Sequence, residues 1–125
     1  MGTLITLLGT GKGTWHEVHG LLSLKAFDTV LIFIDEWAAK DYRNEHGAAL
    51  AVMPSDAPSS TLVTLFSESI KQKLQETGAH AEFDIALNIA SGTGKQHAAL
   101  IAAVLQLGYG VRFVTFENNE LKVLL

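Results

Sequence analysis

The sequence predicts a Rossmann-like, doubly wound α/β fold, in which a mostly parallel sheet carries helices on both faces. Three observations lead to this prediction. Strand-like runs alternate with helix-like segments, residues 29–34 form a continuous apolar run, and a Gly-Thr-Gly-Lys loop follows two of the strand-like runs. Strands covered on both faces read as continuous apolar runs, and their alternation with helices is typical of parallel sheets.

The first half of the chain begins with a strand and a helix. Residues 3–8 are rich in β-forming residues, and apolar residues then recur at helical spacing, at Trp15, Val18, Leu21 and Leu22. The apolar run at 29–34 is the second strand. Residues 36–50 leave two interpretations open, because an alanine-rich helix and a short strand at 48–53 both fit the pattern.

The second half repeats the alternation. Pro54 and Pro58 bracket a break, after which Ser59 or Ser60 is expected to cap a helix. The apolar positions of that helix recur every four residues, and Gly78 is its expected C-terminal stop. Those apolar positions are Leu62, Phe66, Ile70 and Leu74.

The last third contains a strand, a helix and a predicted hairpin. Residues 84–89 are strand-like, and residues 97–107 form an apolar helix that Gly108 ends. Two further strands at 111–116 and 121–125 flank the turn at 117–120, which favours an antiparallel hairpin.

Composition and charge limit the functions to be considered. The 125 residues are 48% hydrophobic, which suits a single domain over residues 1–125 with its own core. The chain has no cysteine and a net charge of −4, so we expect no thiolate metal site and no binding of duplex DNA. No apolar run is long enough to span a membrane, and residues 1–8 are too short for a signal peptide, so a soluble cytoplasmic protein is expected.

Two identical tetrapeptides are the strongest functional signal. Gly-Thr-Gly-Lys occurs at residues 9–12 and again at residues 92–95, each time after a strand and before a helix. Glycines let the backbone approach an anion, and the helix that follows adds free amides and the positive end of its dipole. If strand 3–8 lies beside strand 84–89, the two loops converge on one crevice at the carboxyl ends of the strands.

Several sharper motifs are excluded by spacing. The residues that follow the lysines are Gly13 and Gln96, which do not fit a Walker loop. In a dinucleotide fingerprint the third glycine would fall on Thr14 or His97, so the motif gives Asp28 and Asp35 no support as ribose ligands. The His-Glu-Val-His run at 16–19 is one residue short of the zinc-protease spacing, and Ile89 breaks a nucleophile elbow at Ser91.

Three segments together resemble the CRISPR-associated Rossmann fold (CARF) domains. They are residues 8–15 after the first strand, residues 27–32 at the second strand, and residues 88–95 before a helix of small residues. In the last segment, Ala90 and Ser91 stand where the family commonly has Thr-Gly, and the lysine falls one position late. The resemblance implies a two-fold homodimer that binds a cyclic oligoadenylate made by type III CRISPR complexes.

The resemblance also implies which residues form the site. Asn88 would shape the entry to the second loop, and His97 stands where it could touch the ligand. Lys12 or Lys95 would stabilise the charge of the transition state if the protein cleaves the ring, with no metal and no cofactor. The ligand-binding residues of the two loops would be Gly9, Thr10, Gly11, Ser91, Gly92, Thr93, Gly94 and Gln96.

Three functions stay open at this point. The protein is a ring nuclease, a sensor that binds the ring without cutting it, or a generic nucleotide-binding Rossmann domain. No effector domain is visible, which favours the nuclease, whereas a chain that stops inside a strand at Leu125 suits the sensory domain of a larger effector or transcription regulator. Helix 97–107 is apolar on nearly every side, so a second copy, or another helix of the same chain, is expected to cover it.

Overall fold

The computed structural model describes residues 2–78 and 84–125. In chain order the elements are β1 (Thr3–Leu8), α1 (Trp15–Ser23), β2 (Thr29–Asp35), β3 (Ala49–Met53), α2 (Ser59–Thr77), β4 (Asp84–Asn88), α3 (Gly94–Gln106), β5 (Gly110–Glu117) and β6 (Glu120–Val123). Short 3-10 turns lie at Lys12–Thr14 and Ala38–Lys40.

The sheet confirms the predicted fold class. Its six strands run in the order β3-β2-β1-β4-β5-β6, and every neighbouring pair is parallel except β5 and β6. The strand order reverses between β1 and β4, which pair in register from Leu4 opposite Ala86 to Thr6 opposite Asn88. This is the position at which open α/β sheets bind ligands.

Helices cover both faces of the sheet. Because side chains alternate along a strand, β1 directs Ile5 and Leu7 to the face that holds α2 and α3, and Leu4 and Leu8 to the face that holds α1. The four periodic residues of α2 are buried, and Phe66 packs on Phe33 of β2 with ring centroids 4.6 Å apart. The four periodic residues of α1 are buried on the other face.

The hairpin between β5 and β6 is also confirmed. Asn118 and Asn119 both adopt positive φ, at 52° and 61°, which is the backbone of the two-residue turn that matches the twist of the strands. Asparagine tolerates this region better than most residues. β6 ends at Val123, two residues earlier than the pattern predicts.

Several element boundaries differ from the prediction. A helix over 36–50 is wrong, because this segment holds only one 3-10 turn before β3. Neither Ser59 nor Ser60 caps α2: the N-cap is Pro58, and Ser59 is already the first helical residue. Gly78 does end α2, with a φ of 75°. α3 starts three residues earlier than predicted, at Gly94, because Thr93 and Gln96 form a capping box.

The apolar helix α3 packs mainly against α2 of the same chain. Ala99, Leu100, Ala103 and Val104 are buried in the core that the two helices share with the sheet. Part of the apolar surface of α3 is therefore covered without a second copy, while Leu105 stays exposed. A homodimer remains a prediction.

Candidate functional site

The two Gly-Thr-Gly-Lys loops meet at the carboxyl ends of β1 and β4. The backbone N–H of Gly9 donates to Ser91 Oγ at 2.8 Å, which joins the loops directly. A Cβ atom on Gly9 would lie 3.2 Å from the Cα and the N of Gly92, so only glycine permits this approach without displacing backbone. The convergence expected from the strand order is therefore present.

Gly9 positions the first loop and has no backbone donor left for a ligand. Its N–H is used by Ser91, and its carbonyl oxygen accepts from Trp15 Nε1 at 2.8 Å. Trp15 is buried at the start of α1, where it also contacts Tyr42 edge to face. The first loop is thus fastened to α1 on one side and to the second loop on the other. Donors for a ligand must come from the residues that follow Gly9.

The second loop presents the N-terminus of α3. Thr93 Oγ1 accepts from the N–H of Gln96 at 3.2 Å, and Gln96 Oε1 accepts from the N–H of Thr93 at 2.9 Å. The N–H groups of Gly94 and Lys95, the first two residues of α3, have no acceptor within the helix. These amides and the positive end of the helix dipole favour an anion.

A cavity of about 300 Å³ lies between the loops and the end of β2. Its lining residues are Gly9, Thr10, Gly11, Thr14, Asp35, Trp37, Ser55, Ser91, Gly92, Thr93 and Gln96. Because the strand order is β2-β1-β4, the first loop stands in the middle, with Asp35 on one side and the N-terminus of α3 on the other. The two sides are about two strand spacings apart, roughly 10 Å.

Asp35 is a cavity residue that sequence reasoning set aside. The residue is 4% exposed, and its Oδ1 accepts from the N–H of Trp37 at 2.8 Å and from Ser55 Oγ at 3.0 Å. The dinucleotide fingerprint gives it no support because Thr14 stands where that motif has its third glycine. Its position as the last residue of β2, beside the strand that carries the first loop, is the signal that identifies it.

Lys12 and Lys95, the two expected catalytic lysines, do not line the cavity. Lys12 Nζ lies 2.8 Å from Asp41 Oδ2, and Lys95 Nζ lies 3.8 Å from Asp56 Oδ1. The hydrogen bond and charge of Lys12 hold the pKa of the Asp41 carboxyl below its usual value. Both pairs are exposed, and exposed ion pairs contribute little to stability, so either lysine can exchange its partner for a bound anion.

Asn88 and His97 lie beside the cavity and do not line it. Asn88 is buried, and its Nδ2 donates to Glu17 Oε2 at 2.8 Å and to the carbonyl of Val114 at 3.0 Å. Its Oδ1 accepts from the N–H of Ala90 at 3.3 Å, which shapes the start of the second loop. His97 Nε2 donates to the carbonyl of Ser91 at 2.8 Å and holds the same loop from the helix side.

Asn88 faces a second cavity on the other side of β4. This cavity has a volume of about 410 Å³ and is lined by Glu17, Phe113, Thr115 and neighbouring apolar residues. Glu17 Oε2 accepts from Thr115 Oγ1 at 3.0 Å as well as from Asn88. The residues expected in one site are therefore divided: the glycine loops line the first cavity, and Asn88 belongs to a network that borders the second.

The described part of the chain holds neither a cluster of metal-binding side chains nor a membrane-spanning helix. Over residues 2–78 and 84–125, no three histidine, aspartate or glutamate side chains come together as a possible metal site. In the same residues, no helix has both the length and the apolar character needed to cross a membrane.

Comparisons with known proteins add no family. No protein-family model matches the chain, and the comparison with curated proteins gives no significant match. Function therefore has to follow from the geometry and chemistry of the site.

Proposed function

We propose that the protein binds a cyclic oligoadenylate in the cavity between its two Gly-Thr-Gly-Lys loops, the ligand that its resemblance to CARF domains implies. The observation that carries the proposal is the meeting of the loops through the 2.8 Å bond from Gly9 N to Ser91 Oγ. Because both loops line one cavity, one phosphodiester group can accept hydrogen bonds from both.

The proposed assembly is a homodimer. A cyclic oligoadenylate presents equivalent phosphates around a two-fold axis, so two copies of the site would hold one ring. The exposed Leu105 of α3 is an apolar side chain available to such a contact. Sedimentation of the protein with and without ring tests the assembly: a dimer with one ring bound supports the proposal, and a monomer that binds one ring refutes this part of it.

Ring cleavage is the catalytic form of the proposal. The ribose 2′-hydroxyl would attack the neighbouring phosphorus and lose its proton, the bond from phosphorus to the 5′ oxygen would break, and that oxygen would take up a proton. The products are a 2′,3′-cyclic phosphate and a 5′-hydroxyl. Lys12 or Lys95 would leave its carboxylate partner and stabilise the charge that develops on the phosphoryl oxygens. If the ring stays intact, the protein is a sensor for an effector or transcription regulator.

One experiment tests binding and separates these two forms. The protein is titrated with cyclic tetra-adenylate and cyclic hexa-adenylate in EDTA, and the ligand is then examined for linear products. We expect binding of at least one ring, and weaker binding in Lys95→Ala. The matched control is Lys71→Ala, which removes a lysine of α2 that belongs to neither loop. A failure to bind either ring refutes the proposal, and an intact ring after binding refutes the nuclease form.

The size of the cavity favours a second candidate, a single mononucleotide. A volume of about 300 Å³ is at the lower end for ligand pockets, and Asp35 offers a carboxylate opposite the amides of α3. Adenosine monophosphate is the probe. Binding as tight as that of the rings would favour the mononucleotide, and binding much weaker than that of the rings would favour the cyclic ligand.

A further inference from the structure

We infer that Asp35, Ser55 and Trp37 form a nucleoside subsite, in which the Asp35 carboxylate accepts a ribose 2′-hydroxyl and the Trp37 ring stacks on the base. The inference rests on the proposed function and deepens it, because it gives a binding role to the end of the cavity that the glycine loops do not occupy. It predicts that the site distinguishes ribonucleotides from 2′-deoxyribonucleotides.

The hydrogen bonds of Asp35 leave one carboxylate oxygen for a ligand. Both bonds end on Oδ1, from Trp37 N at 2.8 Å and Ser55 Oγ at 3.0 Å. No donor among the described residues reaches Oδ2. The residue is 4% exposed and is one of those that line the cavity. A buried carboxylate is stabilised by additional donors, and a ligand hydroxyl supplies one.

Charge decides which part of a nucleotide lies at this end. Within residues 2–78 and 84–125, no lysine or arginine forms an ion pair with Asp35, and the two loop lysines pair with Asp41 and Asp56 instead. An uncompensated carboxylate repels phosphate, whereas the free amides of α3 attract it. The phosphate therefore belongs on the α3 side, and a neutral donor belongs beside Asp35. In a 3′–5′ linked ring, the only free ribose hydroxyl is the 2′-hydroxyl.

Trp37 is placed to hold the base. It lines the same cavity and is 60% exposed, which is unusual for so large an aromatic side chain. Its backbone N–H donates to Asp35 Oδ1, so the two residues lie next to each other at this end of the cavity. Lys40 Nζ lies 4.8 Å from the ring centroid, over one face of the indole, so a base would stack on the other face.

The test compares a ribose ring with its deoxyribose analogue. Cyclic tetra-adenylate and cyclic tetra-2′-deoxyadenylate, and the corresponding hexamers, are titrated into the wild-type protein and into Asp35→Asn, which keeps the acceptor for Trp37 and Ser55. We expect the wild type to prefer the ribose ring by about tenfold or more, as for a hydrogen bond to a charged group, and Asp35→Asn to lose most of this preference. Asp84→Asn is the matched control, because Asp84 is exposed at the opposite end of the sheet.

The outcomes separate the inference from the proposed function. If the wild type binds no ring of either kind, the proposed function fails. If it binds ribose and deoxyribose rings equally, or if Asp35→Asn keeps the full preference, the nucleoside subsite is overturned while ring binding stands. Equal binding of the two rings by the wild type overturns the subsite even if Asp35→Asn does not fold.

Tryptophan fluorescence tests the base contact separately. The chain has only two tryptophans, and Trp15 is buried. Stacking of an adenine on Trp37 is expected to quench part of the emission on ring binding, and Trp37→Ala is expected to remove this change and weaken binding by about tenfold. An equal quench in Trp37→Ala, or unchanged affinity, would overturn the assignment of Trp37.

Discussion

Replacing Gly9 by alanine tests whether the two loops are held together by their close approach. The added Cβ would lie 3.2 Å from the Cα and N of Gly92, so backbone must move by a few tenths of an ångström. Such overpacking costs about 1–3 kcal/mol. Movement of the loops also weakens the bond from Gly9 N to Ser91 Oγ, which contributes about 1 kcal/mol.

Gly11→Ala is the matched control for this substitution. Nothing lies within 4 Å of a Cβ on Gly11, and its backbone, at φ −78° and ψ 92°, suits alanine. Both substitutions reduce the entropy of the unfolded chain equally, which stabilises each by about 0.4–1 kcal/mol. The difference between the two variants therefore isolates the contact between the loops, and we expect it to be about 2–4 kcal/mol.

Chemical denaturation of the two variants measures this difference directly, provided that unfolding is two-state. The expected result is a lower midpoint for Gly9→Ala and an unchanged or higher midpoint for Gly11→Ala, with similar slopes. Equal midpoints for the two variants would refute the reasoning, because they would mean that the loops do not constrain each other.

Three further substitutions probe the structure around the site. Gly20→Ala should lower the free energy of unfolding by about 1–3 kcal/mol, because the added Cβ would overlap the ring of Phe116. In a Phe116→Ala background the same substitution should be neutral or stabilising. A loss of stability that persists in that background would contradict the overlap. Thr93→Ala should lower the free energy of unfolding by about 1 kcal/mol, because it removes the cap of α3, whereas Thr93→Ser keeps the capping hydroxyl and should leave stability unchanged. Thermal unfolding measures the effect, and a Thr93→Ala variant as stable as the wild type would argue against the cap. Asn88→Asp would place a carboxylate against Glu17 and should cost about 2 kcal/mol or more at pH 7. Repulsion would raise the pKa of the introduced carboxyl group in the folded state, so the folded variant takes up a proton more readily than the unfolded one as pH falls. The loss of stability relative to the wild type should therefore shrink at lower pH. A loss of stability that does not change between pH 5 and 8 would exclude this repulsion.

The alternation of strands and helices could be predicted because burial on two faces leaves a clear pattern. The apolar run of β2 and the four-residue spacing of apolar residues in α2 can both be recognised from neighbouring residues along the chain. The segment at 36–50 could not be decided from pattern, because its alanines suit a helix, while pairing of β3 with β2 makes 49–53 a strand. That pairing is a contact between distant parts of the chain. The capping box of α3, by contrast, is readable as Thr-Gly-Lys-Gln at 93–96.

The candidate site was predictable in its loops and less so in its side chains. Repetition of a tetrapeptide after two strands is visible in the sequence, and the parallel order of β1 and β4 brings the copies together. The orientation of the lysines depends on two aspartates: Asp41 lies in the segment that the pattern leaves undecided, and Asp56 lies in the break between Pro54 and Pro58. Asp35 directly follows the predicted strand 29–34, and it enters the cavity through the pairing of β2 with β1.

The most direct test of the central claim is an amide chemical-shift map of the protein titrated with cyclic tetra-adenylate and cyclic hexa-adenylate. If the two loops hold the ring, the largest changes fall on the amides of residues 9–14 and 91–96, with further changes at Asp35 and Trp37. Changes confined to the cavity that Glu17 and Thr115 border, or no changes with either ring, would contradict the account.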